Sequence, residues 1–402
     1  MKPDANRVLF FTRLAWVIWL VVAAVISTKV CINIVRFPDK DKNSVTGNYR
    51  DAAALYWAGK PMYGDTDDKN GFLYFPQSAI LYSPFTLGPK PVGEVAWRLV
   101  AIGVFATGLW RASRLVRPAD VLPVFFIGTA LSLPIVWGNA QNGQANLPMA
   151  GLMLHVAVDL VARHWNRATL SLVLLFALKP LAVVPLLLVG ALYRQMWWRL
   201  LAGLFTLALV PFLKGDAAYA IEQYRLCILK MRAAAAPEDG RWQDVTGILR
   251  ALKWQVPDLA MTAIRAAAAL GTLGVAWVAR QRWGEPLGSL GVLALATVYI
   301  CLFNPRTEGM TWVLTIVPIL LFACVQALDS RWRTAAVLLC VAVVIDSGHV
   351  LTGGVNTYLR PLAGLVFLGW LTLAAFDWRP RVADASPARP NLRVDPVHPS
   401  QS

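Results

Sequence analysis

Between residues 9 and 378 the chain returns about ten times to an apolar run: 9–33, 94–113, 119–137, 146–163, 199–213, 259–280, 286–303, 311–327, 332–347 and 361–378. A backbone N–H or C=O placed in hydrocarbon must be bonded within its own segment or its own bundle, so serial apolar runs of this kind admit an α-helical membrane bundle and little else. The side chains agree: 57% are hydrophobic and only 15% charged, with a mean hydropathy of +0.52. The predicted class is an all-α polytopic integral membrane protein.

The formal charge of +15 would point a soluble chain toward nucleic acid. Here the cations cluster in short links: Arg111, Arg114 and Arg117; Arg163 and Arg167; Arg280 and Arg282; Arg331 and Arg333; Arg379 and Arg381. Such clusters set orientation, so these links and both termini are expected in the cytoplasm and no nucleic acid is expected as a partner. Five cysteines without a CxxC read as small buried hydrophobes, and four scattered histidines predict neither a metal site nor a cofactor. The first apolar run, behind Lys2, Arg7 and Arg13, exceeds a signal-peptide core and reads as an uncleaved span. Residues 1–378 are expected to form one membrane-embedded domain, and 379–402, rich in Pro and Arg, a disordered cytoplasmic tail.

One further run, 168–193, carries basic residues at both ends, Arg167 before it and Arg194 and Arg199 after it. A single crossing would place one cluster outside. Two short helices meeting at Lys179-Pro180 keep both inside, each too short for the hydrocarbon core and tolerable only among other helices or beside a cavity. The alternative is one tilted, kinked span with Lys179 snorkelling to the interface. With the hairpin, all remaining links fall on the outer face: 36–93, 138–145, 214–258, 304–310 and 348–360. The 214–258 link holds Ile221, Tyr224, Leu226 and Ile228 near helical spacing, which predicts an amphipathic helix in the interface. Several polar loops on one face of a bundle make a site on that face.

Five segments, in order, carry a family resemblance: "YRDAAALYWAGKPMY", "FLYFPQSAILYSPF", "QNGQANLPMAGLML", "ALKP" and "FNPRTEG". Together, from about Tyr49 to Val317, the chain resembles glycosyltransferase family 87. The resemblance implies a GT-C type bundle of about ten full spans plus a pair of short helices, with outer-face loops carrying amphipathic helices. It implies an inverting transferase that moves a hexose, mannose in the usual case, from a polyprenyl-phosphate-linked donor to a lipid or glycan acceptor on the extracytoplasmic face. A first-loop carboxylate would act as base. The family's Asp stands about fourteen residues before the glycine that is Gly59 here, and this chain has Val45 there.

That chemistry needs a base for the acceptor hydroxyl, a cation for the leaving phosphate and an apolar groove for the prenyl chain. For the base, Asp51 and Glu308 are both candidates, with Asp39 and Asp41 in reserve. Arg306 and Lys179 are the candidate phosphate ligands, since an ionisable residue at membrane depth marks a functional site by default; Asn304 stands beside Arg306. The bland readings are a helix cap with a surface ion pair for Arg306 and Glu308, and snorkelling or a pair with Asp159 for Lys179. Asn142, Gln144 and Asn146 offer donors and acceptors to sugar hydroxyls, or simply form a polar turn. Tyr63 and Tyr74 stack on sugar or prenyl groups, or belong to an interfacial aromatic belt. Two other classes fit a chain like this: a transporter or lipid flippase, which would call for internal repeats that the sequence lacks, and a structural membrane scaffold, which leaves the polar loops unexplained.

Overall fold

The computed structural model describes residues 5–37, 44–68, 70–116, 124–235, 242–347 and 356–380. Asp39, Asp41, Arg117, most of the 348–360 link and the tail beyond residue 380 lie outside the described residues. Among those described, every element is an α-helix or a short 3-10 turn. Seven helical segments are long and apolar enough to cross a membrane, and the chain is an integral membrane protein. They contain α1 (Ala5–Arg36), α4 (Lys90–Val116), α5 (Val124–Asn142), α9 (Trp197–Leu209, extended by flanking 3-10 turns), α12 (Asp258–Trp283), α14 (Val313–Leu328) and α16 (Asn356–Asp377). The other three expected spans form shorter helices, α6 (Asn146–Val161), α13 (Leu287–Phe303) and α15 (Trp332–Asp346). The shortness of α13 follows from where it sits. Every residue of α13 except Tyr299 is buried, so neighbouring helices, not lipid, set its length. Close approach of α4 and α6 depends on glycine, because a Cβ on Gly108 would meet the Gly151 carbonyl at 2.6 Å.

Residues 165–192 fold as two short helices, α7 (Trp165–Leu178) and α8 (Val183–Leu192). Lys179 is extended (φ −152°, ψ 140°), as expected of the residue before a proline, and ends α7. The two ends remote from Lys179 then return together. The Trp165 and Tyr193 rings lie 6.5 Å apart, and Thr169 Oγ1 approaches Met196 Sδ at 3.9 Å. The segment is therefore a hairpin, with Arg167 and Arg194 at its open end and Lys179 at its apex.

The long links 36–93 and 214–258 form a layer over that apex, built from α2 (Thr46–Ala58), α3 (Pro76–Tyr82), α10 (Ala217–Ala235) and α11 (Val245–Ala251). Its core is aromatic, with Tyr49, Tyr56, Tyr63, Phe72, Tyr82 and Trp97 packed around Cys227. Helix α10 is amphipathic, but its packed face is Ala220, Gln223, Cys227, Lys230 and Ala234, while Ile221 and Ile228 are exposed. The reason is backbone satisfaction: Gln223 Oε1 accepts from the Met62 amide at 2.9 Å, and Lys230 Nζ donates to the Asp65 carbonyl at 2.6 Å. Gln223 and Lys230 thus anchor the loop, Tyr219, Leu226 and Met231 pack partly against the aromatic core, and Ile221 and Ile228 are left facing outward.

Candidate functional site

A cavity of about 240 Å³ lies where the hairpin apex, the α13–α14 link and α10 meet, lined by Tyr74, Lys179, Met231, Asn304, Arg306 and Glu308. Residues about 130 positions apart in sequence converge there because the hairpin and the α13–α14 link end at the same level of the bundle.

Lys179 is 9% exposed. Its Nζ donates to Asn146 Oδ1 at 2.8 Å and stands 5.7 Å from the centre of the Tyr74 ring. Asn146 opens α6 and is fully buried. Its partners are a neutral amide and an aromatic face, neither of which brings a counter-charge. The alternative partner, Asp159, is engaged instead with Arg111 at 2.5 Å.

Asn304 ends α13 in an extended conformation, and its Nδ2 reaches Thr307 Oγ1 at 3.5 Å. The next helix begins with a 3-10 turn, Gly309–Trp312, before α14 proper. The Arg306 guanidinium lies over the Trp242 ring, 4.5 Å from its centre. Trp242 is placed by its neighbour: the Gln243 amide donates to the Thr307 carbonyl at 2.7 Å, and Trp312 Nε1 donates to the Gln243 carbonyl at 3.1 Å. The Gln243 side chain accepts from Arg360 Nη1 at 2.8 Å. Arg360 is itself buried and also donates to the Ile345 carbonyl. A Cβ on Gly309 would collide with that guanidinium, so a larger residue there would require the Arg360 side chain to shift. Asp244, next in the chain, caps α11 through the Thr246 amide at 2.8 Å; burial raises its carboxyl, and the bonds from Thr246 oppose the rise.

Glu308 is exposed at the cavity, and Gln144 Nε2 donates to its Oε2 at 3.3 Å. Gln144 belongs to the α5–α6 turn, which a buried ionic knot holds in place. Glu94 accepts from Arg98 Nη1 (2.6 Å), Thr46 Oγ1 (2.6 Å) and Tyr82 OH (3.2 Å), with Arg50 at 3.4 Å. Arg98 reaches on to the Gln141 carbonyl at 3.1 Å, and Trp97 Nε1 donates to the Gly143 carbonyl at 2.9 Å. The Val45 amide donates to the Asn142 carbonyl at 3.2 Å. Val45 and Glu308 therefore flank the same turn.

Tyr74 is half-buried, and its hydroxyl lies 3.1 Å from that of Tyr49. Burial raises its phenol above the ordinary value; the hydrogen bond with Tyr49 opposes this and the Glu308 charge adds to it. The remaining sequence candidates stand elsewhere. Tyr63 is 3% exposed and packs on Phe72, its hydroxyl donating to the Tyr74 carbonyl at 2.8 Å, so it supports Tyr74 from behind. Asp51 is exposed on α2, on the side away from buried Tyr49, Ala52, Ala53 and Tyr56, and does not line the cavity. Asn142 contributes its carbonyl to Val45 and Ser44.

Pro180 and Leu181 line the cavity, and α8, which follows them, lines a second, apolar groove of about 430 Å³. Val184, Leu187 and Leu188 of α8 face Leu270 and Leu273 of α12 across it, with Tyr299 at its wall. Sequence reasoning passed over Trp242, Gln243, Arg360 and the Glu94–Arg98 pair. Arg360 alone had a visible signal, a cation next to a proline at the start of an apolar run.

The model of glycosyltransferase family 87 matches residues 72–305, more than half of the chain. The matched stretch contains Tyr74, Gln144, Asn146, Lys179 and Asn304 and ends one residue before Arg306. No curated protein matches the chain significantly.

Proposed function

The chain belongs to glycosyltransferase family 87, and from that premise we propose that it is an inverting hexosyltransferase using a polyprenyl-phosphate-linked sugar, mannose in the first instance. Its acceptor is a lipid or glycan hydroxyl on the extracytoplasmic face of a bacterial inner membrane. Family membership sets aside the transporter and scaffold readings. The observation that carries the proposal is the convergence of Lys179, Arg306 and Glu308 on one cavity, with a separate apolar groove lined by α8 further along the same hairpin. Two cations suit a phosphate, and the groove suits a prenyl chain lying in the bilayer beside it.

In this mechanism the acceptor oxygen attacks the anomeric carbon from the face opposite the phosphate. The new C–O bond forms as the bond from the anomeric carbon to the phosphate oxygen breaks. The electron pair leaves with polyprenyl phosphate, whose growing charge Lys179 and Arg306 stabilise. The acceptor proton passes to the Glu308 carboxylate, which Gln144 orients. Asp51 remains the alternative base, with Asp39 and Asp41 behind it; Glu308 has the advantage of lining the cavity. Asn304 and Tyr74 are then placed to contact the sugar, and Asn146 acts through Lys179.

The test is transfer by the purified protein from synthetic polyprenyl-phospho-mannose, with polyprenyl-phospho-glucose and GDP-mannose as comparison donors. Turnover with a prenyl-linked hexose and none with the nucleotide sugar supports the proposal. Turnover with GDP-mannose alone contradicts it.

A further inference from the structure

At the open end of the α7–α8 hairpin, six residues line an open polar surface pocket of about 300 Å³: Arg163, His164, Trp165, Asn166, Arg167 and Arg199. It lies across the bundle from the candidate site. Helix α6 starts at Asn146, beside Lys179, and runs 16 residues to Val161, or about 24 Å at 1.5 Å per residue. Helix α7 returns to Lys179 in 14 residues, about 21 Å. The pocket is thus a separate feature at the opposite surface.

Three arginines share this small space, and among the described residues none of them is within ion-pair distance of a carboxylate. Arg199 is held in place by neutral acceptors: Nε donates to Asn166 Oδ1 at 2.9 Å, Nη1 to the Gln195 carbonyl at 2.6 Å, and its guanidinium stacks 4.4 Å from the Trp198 ring centre. Arg163 adopts φ 58°, a left-handed conformation uncommon for a side-chain-bearing residue. The nearest carboxylate, Asp159, stands 3.8 Å from His164 Nδ1 and is already bound by Arg111. Arg163 and Arg167 are exposed and Arg199 is half-buried, so the three cations are open to an anion arriving from outside the bundle.

The source of the anion follows from the neighbouring surface. Helix α9 leaves the pocket with Trp197 (55% exposed), Trp198 (62%), Leu201 (70%) and Phe205 (67%) turned outward. That is an interfacial tryptophan pair followed by an apolar strip facing the bilayer. We propose that this pocket binds the phosphate of an anionic membrane lipid, whose acyl chains lie along α9. Forked guanidinium donors match phosphate oxygens, and basic pockets at the ends of membrane helices recognise such headgroups. The inference does not depend on the glycosyl-transfer reading, since its residues lie outside that cavity.

The experiment measures the apparent Tm of the full-length protein in a neutral detergent, with added phosphatidylglycerol, phosphatidylcholine or sodium phosphate. Phosphatidylglycerol is expected to raise Tm by several degrees and the other two to have little effect. The combined variant Arg163→Gln, Arg167→Gln, Arg199→Gln is expected to lose more than half of that rise, while Arg331→Gln with Arg333→Gln, on another basic link, keeps it. Should the triple variant not fold, native mass spectrometry of Arg167→Gln alone counts retained phosphatidylglycerol, which must fall below wild type. An undiminished rise in the triple variant, or undiminished retention in Arg167→Gln, overturns the proposal. A full response to sodium phosphate overturns the lipid source and assigns the pocket to a soluble anion.

Discussion

Lys179 Nζ lies 2.8 Å from Asn146 Oδ1, which joins the apex of the α7–α8 hairpin to the first turn of α6. A neutral partner positions the ammonium without neutralising it, so its charge remains available to a phosphate. Lys179→Met should weaken donor binding by about 10–100-fold, the scale of a lost charge-assisted hydrogen bond. Asn146→Leu should weaken it less, by about ten-fold, because the charge survives but loses its orientation. Donor titration of both variants checks this. Equal donor affinity in wild type and Lys179→Met would mean that the lysine only braces the hairpin.

The stacking of Arg306 on Trp242 gives a second prediction. Arg306→Lys keeps the charge and loses the planar fork, so turnover should fall about ten-fold or more. Trp242→Ala should cost about 0.5–2 kcal/mol in transition-state stabilisation in the wild-type background and much less when added to Arg306→Lys. Full additivity in that double-mutant cycle would show that the ring and the guanidinium act independently.

A third concerns the buried knot that fixes the α5–α6 turn. Glu94→Gln leaves Arg98 buried without its carboxylate, at a cost of about 3–5 kcal/mol. The apparent Tm in detergent should drop clearly, whereas Asp51→Asn, at an exposed position, should leave it nearly unchanged. A thermal unfolding series reads both.

Orientation is open to direct chemistry. In a cysteine-free background, Asp67→Cys in the outer layer should react with a membrane-impermeant maleimide on intact cells, and Arg194→Cys and Arg331→Cys should not. Outside labelling at Arg194 together with Asp67 would place the open end of the hairpin on the wrong face and reverse the topology argument.

Much of the fold was legible because helix periodicity and basic links are local signals. The break at Lys179-Pro180 is one example: proline chemistry and the arginines at both ends sufficed to predict the hairpin whose ends meet at Trp165 and Tyr193. Lys179, Arg306 and Glu308 were expected to serve one reaction on one face, but their contact around a single cavity was not legible. The packed face of α10 was not legible. Gln223 and Lys230 look solvated in sequence, and only the tertiary structure shows that they satisfy the Met62 amide and the Asp65 carbonyl. The same blindness hid Glu94, whose partners Thr46, Tyr82 and Arg98 come from three helices. Tyr63 and Tyr74 look alike in sequence; burial alone distinguishes the support from the cavity wall.

In the proposed mechanism Glu308, which lines the cavity beside Gln144, takes the acceptor proton. Glu308→Gln preserves shape and the capacity to bond Gln144 while removing the proton acceptor. The deciding measurement is single-turnover transfer from polyprenyl-phospho-mannose by Glu308→Gln and Asp51→Asn, with donor affinity measured in parallel. The account predicts a loss of about 10²–10⁴-fold in the chemical step for Glu308→Gln, unchanged donor affinity and near-wild-type rates for Asp51→Asn. A wild-type rate in Glu308→Gln with a collapse in Asp51→Asn would contradict it.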